Sequence, residues 1–205
     1  NTHNLTVSAS DGIVSTSIAV TLNELDVNEV PPVNALNDSV ITNAGSNTFL
    51  IPEWALLDND VNANNITGIP SDTSLQAILM PTGVAVTDNS GGDGGSFTYT
   101  ATDGVSSDIA TVNVTRDTHG DLNGTNGNDI LIAGNGKDVL VGGSGNDILL
   151  AGDNNDELSG GLGSDILKGE SGNDTLIFDI TDRSIDGGIG TDTLRFDSSG
   201  TINFN

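Results

Sequence analysis

The chain has 205 residues, of which 29 are acidic and 5 basic, for a formal charge of −24; it has no cysteine and 3% aromatic residues. That balance excludes a nucleic-acid binder, which needs a basic footprint, and a protein that docks on anionic lipid. Apolar runs such as Ile148 to Ala151 are far too short to span a bilayer. Disulfides are ruled out as the staple, and the apolar fraction of 35% is periodic, so a cation is the expected stabiliser.

Residues 1–32 read as a β-hairpin and a linker. Leu5, Val7 and Ala9 alternate with polar residues, Asp11-Gly12 turns the chain, and Ile18, Val20 and Leu22 alternate again. The same pattern returns at Phe97, Tyr99 and Ala101, a turn at Asp103-Gly104, then Ala110, Val112 and Val114. Aligning Asp11 with Asp103 sets an offset of 92 residues, the length of a tandem β-sandwich repeat. Residues 1–32 are then the last hairpin and linker of a preceding sandwich, and the chain, opening in mid-pattern, reads as part of a longer protein. In the linker, Asp26, Asn28 and Glu29 precede Pro31-Pro32, which favour an extended chain.

Residues 33–117 form the expected complete sandwich. Strands are predicted at Ser39–Thr42, Thr48–Ile51, Ser74–Met80, Val84–Thr87, Ser96–Thr100 and Ile109–Thr115, with loops at Asp58–Asn65 and Asn89–Gly95. Leu56-Leu57-Asp58-Asn59-Asp60 and the run from Phe97 to Gly104 resemble the ends of cadherin-like, bacterial immunoglobulin-like repeats in large adhesins. That resemblance implies a second metal set at the linker, drawn from Asp26, Asn28, Glu29 and Asp103. Trp54 is expected to pack in a core or at a domain end.

After Arg116 the composition turns to Gly, Asn and Asp, and residues 118–205 keep a nine-residue beat. Asp129, Asp138, Asp147, Asp156, Asp165, Asp174 and Asp192 carry it, and Arg183 stands at the one missed position. Two residues after each Asp comes a leucine, from Leu131 and Leu140 to Leu176 and Leu194. The unit is G-G-x-G-x-D-x-U-x, with U aliphatic: six residues of turn, three of strand, and two units to a coil. Glycine is needed because the turn uses backbone conformations that other residues adopt at a cost. The candidate ligands are the seven aspartates and turn carbonyls near Gly127, Gly134, Gly136, Gly143, Gly145, Gly152, Gly161, Gly163, Gly172, Gly188 and Gly190. Carboxylate and carbonyl oxygens of two stacked turns suit Ca²⁺, at Ca–O distances of ~2.4 Å.

Alternate repeats lie on the same edge of such a coil. One edge carries Asp129, Asp147 and Asp165, then Arg183; the other carries Asp138, Asp156, Asp174 and Asp192. Counting stacked pairs predicts about five ions, two on the first edge and three on the second. Arg183 is expected to abolish or replace the next site, with Phe178–Asp186 kept as a coil for stacking. Asn154, Glu170, Thr125, Ala133 and Ala151 replace glycines of the turns. The leucines point inward, so Ile130, Ile148 and Ile166 point outward on one sheet. That greasier face is expected to pack against the preceding sandwich or a partner.

The array resembles the calcium-binding parallel β-roll of RTX (repeats-in-toxin) proteins. The expected fold is all-β: an immunoglobulin/cadherin-like sandwich followed by a right-handed parallel β-roll closed by a strand within Phe196–Asn205. The resemblance implies a non-enzymatic segment of a secreted RTX adhesin on the bacterial cell surface, a monomer whose partners are the type I secretion machinery and neighbouring domains of the same adhesin. The alternatives are an accessory module of a secreted enzyme or toxin, and a carbohydrate- or surface-binding module. No H-E-x-x-H motif is present, and the only histidines, His3 and His119, have no partner by spacing.

Overall fold

Short strands follow wherever the sequence alternates or presents an aliphatic triplet. The structure, a computed structural model, describes residues 2–10, 15–23, 31–44, 48–72, 75–88, 92–118 and 120–197. The Asp11-Gly12 turn, the linker residues Asp26, Asn28 and Glu29, His119 and the residues after Asp197 lie outside the described residues. Two compact units are present, Asn1–Pro32 and Val33–Asn205.

The first unit is an antiparallel pair, β1 (Thr2–Ser10) and β2 (Ser15–Asn23), with Leu5 opposite Val20 and Val7 opposite Ile18. The second begins with β3 (Asp38–Thr42), β4 (Thr48–Pro52), a four-residue helix α1 (Glu53–Leu56) and β5 (Asn65–Asp72). It continues with β6 (Leu75–Met80), β7 (Gly83–Asp88), β8 (Gly95–Thr102) and β9 (Ser107–Arg116). In the hairpin of β8 and β9, Phe97 lies opposite Val112 and Tyr99 opposite Ala110. These pairs are the β1–β2 pairs displaced by the offset between Asp11 and Asp103, so the internal repeat extends to strand register.

Strands β3, β9, β8 and β5 belong to one sheet and β4, β7 and β6 to another, and residues of both share one hydrophobic core. Phe97, Tyr99, Ile51 and Leu56 are among its fully buried members. Two of these elements have no signal in the alternation. Strand β5 carries Gly68 and Pro70 and pairs with β8 through two register shifts. It is the edge strand of its sheet, where proline and bulges are tolerated. Helix α1 is too short to show a helical period, and Glu53 ties it to β5 by accepting the Ile66 N–H at 2.7 Å.

The nonapeptide array supplies one wall of β10 (Asp121–Asn123), β12 (Val139–Ser144), β14 (Glu157–Leu162), β16 (Thr175–Phe178) and β18 (Thr193–Phe196). The other wall is β11 (Asp129–Ile132), β13 (Ile148–Leu150), β15 (Ile166–Lys168) and β17 (Ser184–Asp186). All pairings within each wall are parallel, with partners eighteen residues apart, such as Leu131 and Leu149 or Leu140 and Leu158. Leu122, Leu131, Leu140, Leu149, Leu158, Leu167 and Leu176 are fully buried between the walls. Leu194, on the last strand, is 57% exposed.

The sequence suggests a change of domain at 117/118, and the structure carries one sheet across it. Strand β11 pairs in parallel with β3, and β3 pairs in parallel with β9, so the order β17-β15-β13-β11-β3-β9-β8-β5 is continuous. Along β3 the side chains alternate between two cores. Val40 enters the core of residues 33–117, and Ile41 enters the leucine ladder of the coil. Ile130, Ile148 and Ile166 are buried and belong to the same cluster as Val40, Phe97 and Val112. The outward isoleucine column thus packs into the core of residues 33–117. Trp54 sits at the same junction, with the Lys168 ammonium 5.3 Å from its ring centroid.

A shared core predicts a shared transition. Ile148→Ala should cost about 2–5 kcal/mol, the range for removing a buried isoleucine. In calcium, scanning calorimetry should show one lowered transition for the whole of Val33–Asn205. Two transitions, with only one displaced, would show that the walls fold independently.

Candidate metal centre

Each turn is built so that an aspartate must go inside. Asp129, Asp138, Asp147, Asp156, Asp165 and Asp174 are all buried. Their Oδ1 atoms stitch the coils: Asp129 N–H donates to Asp147 at 2.9 Å, and Asp147 N–H to Asp165 at 2.8 Å. On the other edge Asp138 donates to Asp156 and Asp156 to Asp174, both at 2.8 Å, and Asp174 to Asp192 at 3.0 Å. The two predicted ladders therefore exist. From Asp147 on one edge and Asp156 on the other, each carboxylate closes back onto the preceding coil.

The second oxygen is the informative one. Oδ2 of Asp138, Asp147, Asp156, Asp165 and Asp174 is buried and has no hydrogen-bond partner. A methyl built on Gly142 would lie 2.5 Å from both Asp147 Oδ2 and the Gly160 carbonyl oxygen. One built on Gly169 would lie 2.4 Å from Asp174 Oδ2 and 2.6 Å from the Gly187 oxygen. A carboxylate oxygen of one turn and a carbonyl of the next thus crowd one point. Both are acceptors, so only a cation or a proton makes that arrangement favourable. Among the described residues no three acidic or histidine side chains form a metal cluster by themselves. The slots are instead one carboxylate with backbone oxygens, a donor set suited to Ca²⁺.

Nine of the eleven predicted carbonyl glycines have positive φ; Gly127 and Gly134 do not. The need is plainest at Gly163, φ 144°, where an added Cβ would fall 1.7 Å from the Gly145 carbonyl oxygen. Asn154 and Glu170 take the glycine conformation at φ 85° and 68°, asparagine with less strain than glutamate. Thr125 uses another device: its N–H and Oγ1 both donate to Asp129 Oδ2, at 2.6 and 2.7 Å. Asp129 is left with Oδ1 as its unpartnered oxygen.

Arg183, at the missed position of the beat, turns its guanidinium out of the ladder and pairs with Asp58 at 2.5 Å. Asp182, one residue off the beat, takes the vacated place, accepting from Asp165 N–H at 3.3 Å and from Asp179 N–H at 2.9 Å. A carboxylate thus survives on that edge by a one-residue slip. Of the suggested linker set, Asp103 caps the β8–β9 turn, accepting from Val105 N–H and Ser106 N–H at 2.8 and 2.7 Å. Those bonds hold its carboxyl below the usual range.

Two features of the site escape the nonapeptide pattern. Asparagines just before the aspartates form a ladder of opposite sense: Asn146 N–H donates to Asn128 Oδ1, and Ser164 N–H to Asn146 Oδ1. Asn155, Asn173 and Thr191 repeat this on the other edge. The signal was present, since Asn precedes Asp at four of the turns. Asn43, beyond β3, has no such signal. Its Nδ2 donates to Asp138 Oδ1 at 2.9 Å and the Gly120 carbonyl at 2.7 Å, and its Oδ1 accepts from Gly134 N–H at 3.0 Å. A side-chain amide from the neighbouring layer finishes the first turn of that edge.

Without a cation, four of these carboxyls, Asp147, Asp156, Asp165 and Asp174, are held above the usual carboxylate range. Burial, opposed by the inter-coil hydrogen bond and reinforced by the aspartates above and below, pushes Asp147 up to about 7 and Asp156 to about 6. Burial also raises Asp165 to about 6, with Asp182 adding to it, and raises Asp174.

This geometry defines the class: a calcium-binding parallel β-roll. Residues 119–149 and 150–180 each match the family described as RTX calcium-binding nonapeptide repeat (4 copies), and the segment is an RTX calcium-binding β-roll. The match spans under a third of the chain. A comparison with curated proteins finds no match.

A pH dependence follows. Folded carboxyls raised above the unfolded value bind protons more tightly than the unfolded chain does. Stability without calcium is therefore greatest at acid pH and is lost as pH rises through about 6 to 7. In EGTA, the urea midpoint at about pH 5 should exceed that at about pH 8, and saturating calcium should reverse the order, since ion and proton compete for the same oxygens. Equal midpoints in EGTA would mean the carboxylates are compensated in some other way.

Proposed function

We propose that this chain is a calcium-folded, non-enzymatic segment of a secreted RTX adhesin, exported by a type I secretion system and displayed at the bacterial cell surface. The observation that carries the reading is the set of five buried Oδ2 atoms without partners. One ion at each gives about five Ca²⁺. A site that exists only when two coils are stacked turns binding free energy into folding free energy. Extracellular calcium modules work at Kd ~10⁻⁴–10⁻³ M, so the roll stays open in a low-calcium cytosol and closes outside.

The adhesin part of the reading rests on the tandem hairpins, whose equal register supports repeated cadherin-like domains in series with the roll. An RTX roll is a structural module and not a catalytic fold. No helix among the described residues is long and apolar enough to cross a membrane. Neighbouring domains of the same adhesin are the proposed partners.

Calcium titration with circular dichroism and calorimetry tests the switch. The expected result is a cooperative gain of β structure near millimolar calcium and its loss in EGTA at neutral pH. Asp156→Asn should raise the calcium midpoint several-fold. A roll folded equally in EGTA would remove the basis for a secretion switch.

A further inference from the structure

Outside the nonapeptide turns, one corner carries the same electrostatic signature. Asp38, the first residue of β3, is 4% exposed. Its Oδ1 accepts from Asn59 Nδ2 at 3.0 Å, while its Oδ2 is buried with no partner. The Asn59 amide also donates to the Asn37 carbonyl at 3.4 Å. Both of its contacts are acceptors, so the amide group faces them and Oδ1 faces away. Asn59 Oδ1 is likewise buried without a partner.

Asp38 and Asn59 line one cleft of about 240 Å³ between the α1 end of residues 33–117 and the first coil of the roll at Asn128, Asp129 and Ile130. At ~30 Å³ per water, that space holds an ion and several waters. Asp60 adds charge next to Asp38, while its oxygens accept from Leu36 N–H at 2.7 Å and Tyr99 O–H at 3.0 Å. Arg183 also lines the cleft, but Asp58 neutralises it at 2.5 Å. Among the described residues no cationic group balances Asp38, and the Asp60 charge beside it adds to the effect of its burial.

We propose that this cleft, which opens beside Asp129 of the first nonapeptide turn, holds a calcium ion additional to those of the RTX turns, with Asp38 Oδ2 and Asn59 Oδ1 as protein ligands and water completing the shell. Two unpartnered oxygen acceptors at one cleft, one charged and one neutral, with room for water, match a hard cation that takes six to eight oxygens better than one that demands a tight octahedron. In its absence burial and the Asp60 charge hold the Asp38 carboxyl up to about 8. Because the cleft joins the sandwich to the first coil, the ion fastens the strand from which the roll starts.

The test is an ion count. Native mass spectrometry of the full chain, at the calcium concentration that just saturates the wild type, should find one ion fewer in Asp38→Asn and in Asn59→Leu. An unchanged count in folded Asp38→Asn overturns the proposal and leaves Asp38 as a protonated acid. Tb³⁺ provides a readout that needs no variant: Tyr99 is the only tyrosine and its hydroxyl touches Asp60. Tb³⁺ emission excited through tyrosine is expected, and its absence counts against the site even if Asp38→Asn does not fold. If the nonapeptide slots bound no ion, the function proposed above would fail, while tyrosine-excited Tb³⁺ emission would still decide this site.

Discussion

The constraint on which the molecule depends is repulsion between stacked carboxylates. Parallel strands repeat every ~4.8 Å. Two charges about 5 Å apart at an effective dielectric of ~20 repel by roughly 3 kcal/mol. Burying one leucine of the ladder contributes ~1.5–3 kcal/mol. Each added coil therefore gains and loses similar amounts while its slot holds no cation, and conformational entropy then decides against it. A divalent ion changes the sign of the electrostatic part and leaves the leucine part intact. That is why the apolar ladder can be regular and fully buried while the turns still favour a bound cation. The protonated carboxyls reach the same end weakly, since a proton removes the repulsion and bridges nothing.

The second constraint is the seam at β3. A parallel coil has an open first edge whose N–H and C=O groups need partners. Here β3 supplies them, pairing with β11 on one side and β9 on the other. It also supplies Ile41 for the interior, while Asn43 follows it at the first turn. The layers are thus one sheet serving two cores. Stability in the roll and in residues 33–117 cannot be assigned separately, because Val40 and Ile41 are neighbours that enter different cores from one strand.

What was legible in the sequence was whatever has a period. The aspartate beat, the leucine ladder, the outward isoleucine column and the hairpin repeat all read directly, because strand alternation and coil length impose them locally. Strand β5 was hidden because Gly68 and Pro70 suppress alternation, and its place at a sheet edge is a tertiary fact. Asp182 was hidden because it works one residue off the beat, a slip that only the coil above it reveals. Asn43 lies 95 residues from Asp138, and no local pattern announces a contact of that range. The asparagine ladder has a sequence signal, Asn before Asp, but its hydrogen bonds join coils eighteen residues apart and carry no local pattern of their own.

The departure at Arg183 shows how such an array tolerates an error. A cation at the missed position removes a ligand, and a guanidinium in the ladder would repel any neighbouring ion. The chain resolves both problems by different means. Asp182 restores an acceptor for the Asp165 N–H, and Arg183 turns outward to Asp58 on the neighbouring layer. The pair is half-exposed at the arginine, so it contributes modestly to stability. Its larger effect is to keep the charge out of the coil. A substitution that would break a ligand ladder in isolation is absorbed because the roll has a partner surface, with an acid placed to accept what the ladder rejects.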